Sequence, residues 1–276
     1  ICGLEGILPY LDDIIVYART EGELIEKVRA LLAIFAENGL RLKKEKCVFR
    51  TMSLDFLGHR VTADGISPLK DKVEPIKRAP YPRNKKELQA TLGMIGFYQP
   101  FLPDKATIAE PLHRLLDKDR RWSFDKEHRE AVDKLKDLLT SDKVLVHYSL
   151  QRPVAIVADA SPYGCGGVLF HIMEDGTERP VAFYSRTLSK AERNYSQLDR
   201  EAVAIVSTVK KFHDFLYGRE FKIFNDHRPL LGILGKGPCP AVISPTMLRR
   251  RIFLSAYDAE LVYRPAAKMG NADFLS

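Results

Sequence analysis

The sequence predicts an α/β protein of the α+β kind, in which a short hairpin, a helical middle segment and a mixed sheet follow one another. Three observations support this class. β-branched and aromatic residues flank a turn near residue 12, and prolines interrupt helical spacing between residues 68 and 118. From residue 154 onward, nearly continuous apolar runs alternate with amphipathic stretches, a pattern typical of a sheet covered by helices.

The first element is a hairpin around Tyr10-Leu11-Asp12-Asp13. Residues 6–9 and 14–17 are apolar or aromatic, so two short strands flank a turn that carries two acids. Burying adjacent carboxylates is costly unless a cation neutralises them, and Mg²⁺ prefers oxygen ligands. A cation-binding turn and an ordinary Asp-Asp hairpin turn explain these four residues equally well.

A capped helix and a basic segment come next. Thr20-Glu21-Gly22-Glu23 has the form of a capping box, and Gly39 is placed to end the helix. Residues 41–50 then hold five basic residues and one acid, and they lead into a β-like stretch over residues 56–61. This segment suits contact with a nucleic-acid backbone, and a solvated face before an edge strand is the alternative.

The middle of the chain is predicted to be helical. Helical spacing predicts helices over residues 69–77, 84–97 and 108–116, separated by prolines. Their lysines and arginines would suit a movable clamp over a duplex. A plain helical linker is the alternative.

The last segment returns to strands. We expect a helix over 125–139, strands at 154–158, 166–170 and 181–185, and a long helix over 197–216. A strand over 221–224, a helix over 247–257 and a strand over 259–263 complete the pattern.

Four acids of this segment occupy notable positions. Asp159 ends a buried strand, Glu201 lies early on the long helix, Asp226 follows the next strand, and Asp273 comes near the end of the chain. Acids that converge repel each other, and such clusters usually hold divalent metal. Two Mg²⁺ roughly 4 Å apart can activate water and stabilise the leaving oxygen of a phosphodiester. Taken singly, each acid is explained as simply by a turn. As an ordered set, they favour the metal site.

Composition adds little to these motifs. The 276 residues carry a net charge of +7, a mild basicity that suits a phosphate backbone but is common elsewhere. No apolar run approaches a membrane span, and no signal peptide is visible. The four cysteines include no Cys-x-x-Cys pair, so neither a zinc site nor a disulfide framework is indicated.

Taken in order, the motifs resemble the reverse transcriptase–ribonuclease H segment of gypsy-type LTR retrotransposon Pol polyproteins. Residues 10–14 are similar to the polymerase signature, residues 56–59 to the primer grip, and residues 92–103 to the thumb signature. The ribonuclease H landmarks are matched by Asp159-Ala160-Ser161, Glu201-Ala202, residues 226–230 and Asn271-Ala272-Asp273.

The resemblance implies a fold and a division of the chain. Residues 1–66 would be the C-terminal part of the polymerase palm, 67–124 the thumb and connection helices, and 125–276 a ribonuclease H-like domain. Asp12 and Asp13 would be catalytic palm carboxylates that bind metal. Two Mg²⁺ per active site are implied, with Mn²⁺ as a substitute. The catalytic and metal-binding set of the hydrolytic site would be Asp159, Glu201, Asp226 and Asp273.

This sequence also departs from the family pattern. The family's third palm aspartate and its fingers would lie upstream of Ile1, so we expect the chain to be a piece of a longer polyprotein without polymerase activity of its own. Ala158 and Asn225 stand where threonine is frequent. Residues 96–100 lack the usual arginines, which would weaken duplex binding by the thumb.

The resemblance also implies partners. These are an RNA–DNA hybrid, a primer–template duplex and the rest of the Pol polyprotein, with a homodimer left open and no membrane. The expected location is the cytoplasm, in a virus-like particle, with nuclear entry as an open alternative. The expected nucleic-acid contacts are Lys43, Lys44, Lys46, Gly58, His59 and Arg186.

Two other functions compete with hydrolysis of hybrids. The chain could be a catalytically silent nucleic-acid-binding relic or the structural subunit of a reverse transcriptase dimer. It could also be another nuclease or recombinase with a ribonuclease H-like sheet, such as an integrase. The hairpin at residues 10–13 and the helical segment upstream of the mixed sheet are evidence against the nuclease or recombinase alternative.

Overall fold

A computed structural model of the chain describes residues 5–141, 144–238 and 240–265. Internal contacts divide the chain into two compact units, Ile1–Leu54 and Asp55–Ser276. The expected ligand Asp273 and its neighbours at 271–272 lie outside the described residues. The division at residues 66 and 124 that the resemblance implies stays a prediction.

The first unit opens with the expected hairpin. Strands β1 (Ile7–Tyr10) and β2 (Asp13–Val16) pair antiparallel, with Tyr10 opposite Asp13. Leu11 and Asp12 form the two-residue turn between them, and Leu11 adopts a left-handed φ of 51°. The sequence-based prediction of two strands with acids at their turn is therefore confirmed.

Helix α1 (Glu21–Glu37) follows the hairpin. The Thr20 side chain accepts a hydrogen bond of 3.3 Å from the N–H of Glu23, which satisfies one of the helix's initial donors. At the other end Gly39 has φ 69°, the left-handed conformation that terminates helices. The cap at Thr20 and the end of the helix at Gly39 are confirmed, but the side chain of Glu23 accepts a hydrogen bond from the N–H of Arg19 and not from that of Thr20. The basic segment beyond the helix contains one 3₁₀ turn, Lys44–Lys46.

A three-stranded sheet follows α1 in the chain. Its strands, in spatial order, are β3 (Ser53–Phe56), β4 (His59–Thr62) and β5 (Ile66–Pro68). The predicted β-like stretch over 56–61 is confirmed at both ends as strand, and a turn at Leu57 and Gly58 divides it between β3 and β4. Gly58 has φ 80°, which a residue without Cβ adopts readily.

The helical middle segment carries the expected helices and one more. Asn84 caps its second helix by accepting a hydrogen bond of 2.9 Å from the N–H of Glu87. The short helix at 105–108 was not anticipated, because it is a single turn without an apolar period. The four helices are α2 (Lys70–Arg78), α3 (Lys85–Phe97), α4 (Lys105–Ile108) and α5 (Glu110–Leu115). The next helix, α6 (Lys126–Thr140), is the one expected over 125–139.

A five-stranded mixed sheet forms the centre of the second unit. Its strands are β6 (Val154–Ala160), β7 (Gly164–Ile172), β8 (Glu178–Thr187), β9 (Phe221–Asn225) and β10 (Ala259–Tyr263). Their spatial order is β10-β9-β6-β7-β8. β6 pairs antiparallel with β7 and parallel with β9, and β9 pairs parallel with β10.

The remaining helices connect these strands. They are α7 (Lys190–Arg193), α8 (Gln197–Lys211), α9 (His213–Leu216), α10 (Arg228–Leu234) and α11 (Pro245–Ser255). The predicted single helix over 197–216 is interrupted at Phe212, which separates α8 from α9. In the described part of the chain no helix is long and apolar enough to cross a membrane.

Helices cover both faces of the mixed sheet. On β6, Ala155 and Val157 pack into one core with α2, α3, α5 and α6, whereas Ile156 and Ala158 pack into another with α8, α10 and α11. Side chains along a strand point alternately to opposite faces. Asp159 therefore belongs to the face that the helical middle segment covers.

Candidate functional site

Two of the expected acids lie at one edge of the mixed sheet. Asp159 is the penultimate residue of β6, and Asp226 directly follows β9. Because these two strands are parallel neighbours, their carboxyl ends meet at the same edge. Both side chains are exposed there.

Glu201 reaches this edge from α8, which packs against β6 and β7. The helix begins at Ser196, whose hydroxyl accepts a hydrogen bond of 3.1 Å from the N–H of Asp199. Asp199 also forms an ion pair of 2.9 Å with Arg250 of α11. These contacts fix the first turn of α8, and with it the position of Glu201, which is 3% exposed.

The carboxyl group of Glu201 is buried and only half satisfied. Its Oε1 accepts a hydrogen bond of 2.6 Å from Nε2 of Gln197, while its Oε2 is buried without a partner. Burial raises the pKa of Glu201 to about 8, and the charges of Asp159 and Asp226 add to the rise. The side-chain amides of Gln197 and Asn225 oppose it.

Asp159 is bound to its own backbone. The N–H of Ala160 donates a hydrogen bond of 2.8 Å to Oδ1 of Asp159. Although Asp159 keeps solvent-exposed surface, the surrounding protein atoms displace part of the water around its carboxyl group, and this raises its pKa. The hydrogen bond from Ala160 opposes the rise, and the charge of Asp226 adds to it. The charges of Asp159, Glu201 and Asp226 thus influence one another, and their assignment as a common set of metal ligands stays a prediction.

The donor chemistry of these residues suits a hard divalent cation. Within residues 5–141, 144–238 and 240–265, no three His, Cys, Asp or Glu side chains are grouped closely enough to enclose a metal ion. In many proteins, however, only one or two carboxylates bind Mg²⁺ directly, and the ion keeps several of its water ligands. The unpartnered Oε2 of Glu201 is a buried acceptor that a cation would satisfy.

The second pair of acids is on the hairpin of the first unit. Asp12 and Asp13 are both exposed at the turn, next to Leu11, which is 90% exposed. Their exposure removes the burial penalty that the apolar flanks suggested. The hairpin presents two adjacent carboxylates to solvent, an arrangement that can accept a hydrated cation.

The expected nucleic-acid contacts occur in three environments. Gly58 occupies a turn where a Cβ atom would lie 3.1 Å from the ring of Phe97, and His59 stacks on that ring at 5.3 Å. Arg186 of β8 is held by Glu192 through two hydrogen bonds of 2.8 and 2.7 Å. The remaining contacts are on the exposed basic segment and are Lys43, Lys44 and Lys46. All six stay predictions.

Sequence reasoning missed two residues of this site. Gln197 lies one helical turn before Glu201, and that spacing alone could have suggested the contact between them. Asp104 lines a cavity together with Asp159. No sequence pattern links Asp104 to Asp159, because one lies in the helical middle segment and the other in the mixed sheet.

Comparisons of sequence show what the chain is similar to. Residues 5–61 match the reverse transcriptase (RNA-dependent DNA polymerase) family, and residues 124–223 match an RNase H-like domain found in reverse transcriptase. The Transposon Tf2-3 and Tf2-4 polyproteins of Schizosaccharomyces pombe are each 30% identical to this chain over 272 residues. These residues are 98% of this chain and 20% of each polyprotein, so the chain spans about a fifth of the length of these relatives.

Solved structures share the fold. A foamy viral protease–reverse transcriptase in complex with dsDNA superposes with a TM-score of 0.79, covering 96% of this chain and 56% of its own, at 22% identity. The same protein type in complex with RNA/DNA hybrid gives a TM-score of 0.78, covering 95% of this chain and 36% of its own, again at 22% identity. The predicted α/β class, with its polymerase-type and ribonuclease H-like parts, is confirmed.

Proposed function

We propose that this chain, which carries reverse transcriptase and RNase H-like domains of a retrotransposon polyprotein, hydrolyses the RNA strand of RNA–DNA hybrids with two Mg²⁺ or Mn²⁺ ions. The site would consist of Asp159, Glu201 and Asp226, with Asp273 as the fourth ligand. Asp12 and Asp13 would serve nucleotidyl transfer in the parent polyprotein.

One observation carries this proposal. Two parallel strands end with Asp159 and Asp226 at one edge of the sheet, and Glu201 of α8, whose pKa the charges of both raise, keeps a buried oxygen without a partner. Mutual repulsion and burial would make such a group costly if nothing neutralised it. A divalent cation held by these residues would supply that neutralisation, and Glu201 would then be ionised at neutral pH.

Each side chain would have a definite task. Gln197 holds Oε1 of Glu201 and so leaves Oε2 to bind a cation. Ala160 holds Oδ1 of Asp159, and the exposed carboxylate of Asp226 faces the solvent from which substrate arrives. When bound, divalent cations activate a water and stabilise the leaving oxygen of the phosphodiester. Recognition of the RNA strand would rest on its 2′-hydroxyls and on duplex shape.

The test uses the full chain with a labelled RNA–DNA hybrid and Mg²⁺. Wild type should cleave the RNA strand, whereas Asp159→Asn, Glu201→Gln and Asp226→Asn should lose cleavage but keep hybrid binding. Asp214→Asn, a change at an exposed acid of α9, should cleave as wild type does. Retained cleavage in Asp226→Asn would contradict the assignment of Asp226 as a metal ligand.

A second candidate function is nucleic-acid binding without hydrolysis, as in a relic or a structural subunit of a dimer. The observation that favours it is the absence, within the described residues, of three acidic or metal-binding side chains grouped around one point. It predicts folded wild-type protein that binds hybrid with steep salt dependence and does not cleave it. The same assay therefore separates the two candidates.

The partners follow from the same proposal. They are RNA–DNA hybrid, primer–template duplex and the rest of the polyprotein, with a second copy of the chain as a further candidate. The proposed location is a cytoplasmic virus-like particle. Fractionation of cells that express the parent polyprotein, with particles collected by sedimentation, tests the location.

A further inference from the structure

We propose that Arg200 of α8 is a positioning residue of the hydrolytic site and that it acts on Glu201 through Gln197. Its guanidinium group sets the orientation of the Gln197 amide, and the amide in turn holds one oxygen of Glu201 and leaves the other to a cation. This inference rests on the proposed function, because it concerns the same site. It adds a side chain that the set of acids does not include.

Gln197 lies between the other two side chains on α8. Arg200 is three residues and Glu201 four residues beyond Gln197, and side chains at these two spacings meet on a helix. Arg200 and Glu201 themselves are adjacent in the chain, and adjacent residues of a helix do not face each other. Gln197 is therefore the residue through which Arg200 can act on Glu201.

Both ends of the Gln197 amide are engaged. Its Oε1 accepts a hydrogen bond of 2.9 Å from Nη2 of Arg200. Its Nε2 donates hydrogen bonds of 2.6 Å to Oε1 of Glu201 and of 3.4 Å to the carbonyl oxygen of Ala160. The oxygen of the amide thus meets a donor, and the nitrogen, which carries two N–H donors, meets two acceptors.

These partners select one orientation of the amide. In the reversed orientation, Oε1 of Gln197 would face the oxygens of Glu201 and Ala160, and neither oxygen has a proton to give it when Glu201 is ionised. The N–H groups of the amide would then face Arg200, whose guanidinium group has only donors. Arg200 therefore stabilises the orientation in which Gln197 gives an N–H to Glu201.

Among the described residues, Gln197 is the side chain to which the guanidinium group of Arg200 donates a hydrogen bond. Arg200 forms no ion pair within that part of the chain, and its Nε is buried without a partner. A charged donor makes a stronger hydrogen bond than a neutral one, so the bond to Gln197 competes well with water. Gln197 is exposed, and without this bond its amide would be free to turn towards the solvent.

The amide connects α8 with the end of β6. Ala160, whose carbonyl oxygen receives the second N–H of Gln197, donates its own N–H to Oδ1 of Asp159 at 2.8 Å. The same amide therefore contacts Glu201 and the residue that holds Asp159. Groups that hold a metal-binding side chain from behind orient it and raise its affinity for the ion, and this is the task that we assign to Gln197 and, through it, to Arg200.

The first experiment separates orientation from charge. Mn²⁺ is titrated calorimetrically into cation-free full chains, and the binding that Glu201→Gln abolishes is compared among the variants. Removing a positive charge near a cation site would by itself strengthen cation binding, whereas losing the orientation of Gln197 weakens it. We expect the Kd for Mn²⁺ to rise about threefold in Arg200→Met and about tenfold in Gln197→Met. The double variant should match Gln197→Met, because Arg200 acts only through that amide.

Two further measurements follow the amide and the reaction. In ¹⁵N-labelled chain, the side-chain N–H signals of Gln197 are identified by their loss in Gln197→Met. In Arg200→Met they should move towards the positions of a free glutamine amide, with or without Mn²⁺. Cleavage of RNA–DNA hybrid by Arg200→Met should show a lower kcat and an unchanged KM, because the positioning of Glu201 is impaired and hybrid binding is not.

Arg249→Met, which removes an exposed arginine of α11, is the matched control and should bind Mn²⁺ as wild type does. A Kd for Arg200→Met equal to or below that of wild type would overturn the inference, as would additive effects in the double variant. A raised KM with unchanged kcat would also overturn it, because Arg200 would then bind the hybrid directly.

Failure of the proposed function is distinguishable from failure of this inference. Wild type that neither binds Mn²⁺ nor cleaves hybrid would contradict the proposed function. The Gln197 signals would then decide the inference by themselves, since they need no cation. Signals that stay in place in Arg200→Met would show that Arg200 does not orient the amide.

Discussion

Gln197 and Glu201, one turn apart on α8, are joined by a hydrogen bond of 2.6 Å from Nε2 to Oε1. This bond orients the most deeply buried acid of the site, and the side-chain amide of Asn225 also favours the charged form of that acid. The second oxygen, Oε2, remains unsatisfied. One oxygen of Glu201 is therefore held by the protein, and the other is left without a hydrogen-bond partner that a cation could replace.

The cation-free chain should be stabilised by Glu201→Gln at alkaline pH. Because the pKa of Glu201 is raised to about 8 in the folded state, folded protein binds more protons than unfolded protein between about pH 4.5 and 8. This stability is present below pH 4.5 and is lost as the pH rises towards 8. Glutamine cannot ionise, so the variant should gain on the order of 2–4 kcal/mol at pH 8.

Urea unfolding in the presence of a chelator, at pH 5 and pH 8, measures this difference. Glu174→Gln, at an exposed turn between β7 and β8, is the matched control and should show no gain. A Glu201→Gln variant that is no more stable than wild type at pH 8 would contradict the buried, cation-free state of Glu201.

His171 should make the chain less stable in mild acid. The buried ring accepts a hydrogen bond of 3.0 Å from the N–H of Ser149 at Nε2 and donates from Nδ1 to the carbonyl of Pro153 at 3.0 Å. Burial lowers the pKa of His171, so unfolded protein binds the proton more readily than folded protein. Stability should therefore fall as the pH drops below about 6.5.

Unfolding free energies measured between pH 7.5 and 5 test this expectation. His171→Asn, which cannot gain a charge, should be less stable overall but should show a flatter pH dependence than wild type. Parallel pH dependences in the two proteins would show that another group causes the decline.

The ion pair of Arg186 and Glu192 should contribute to stability at neutral pH. Arg186 lowers the pKa of Glu192 to about 2, and the side chains are 32% and 19% exposed. A depressed carboxyl pKa gives stability that is present above about pH 4.5 and lost as the pH falls towards 2. After solvent screening, Glu192→Gln should cost about 1–2 kcal/mol at pH 7.

Denaturant unfolding at pH 7 and pH 3 checks the size and the pH range of this loss. Glu130→Gln removes the ion pair that Glu130 forms with Lys126 at 3.6 Å, in which both side chains are more exposed. This variant should lower the free energy of unfolding much less. An equal cost at both pH values would mean that charge pairing is not the cause.

The basic segment of the first unit should set part of the salt dependence of nucleic-acid binding. Lys43, Lys44 and Lys46 are exposed, and each phosphate contact adds about 0.9 to the slope of log K against log salt for duplex DNA. Replacing all three with glutamine should reduce that slope by about 2–3.

Fluorescence anisotropy with a labelled duplex at several salt concentrations measures the slope. A double variant at two exposed lysines of α6, Lys126→Gln/Lys134→Gln, is the control and should leave the slope unchanged. An unchanged slope in the triple variant would support the solvated-face interpretation of this segment.

The sequence predicted local features well where neighbouring residues determine them. The hairpin at residues 10–13, the caps at Thr20 and Gly39, and the strand that ends near Asp159 were all anticipated, because turn residues, capping side chains and apolar periods act over a few positions. The β-like stretch over 56–61 was anticipated as well, but its division into two strands was not, since the left-handed backbone at Leu57 and Gly58 creates a turn between them.

By itself, the sequence determined the order of the motifs, the chemistry of the acids and the elements that carry them. Only the tertiary structure decided how deeply Glu201 is buried, that one of its oxygens lacks a partner, and that Asp104 lines a cavity with Asp159. The physical reason is that burial and like-charge proximity arise when separate surfaces dock. The docking of α4 on the sheet edge depends on Ser185 and Gly164, residues far from Asp104 in the chain.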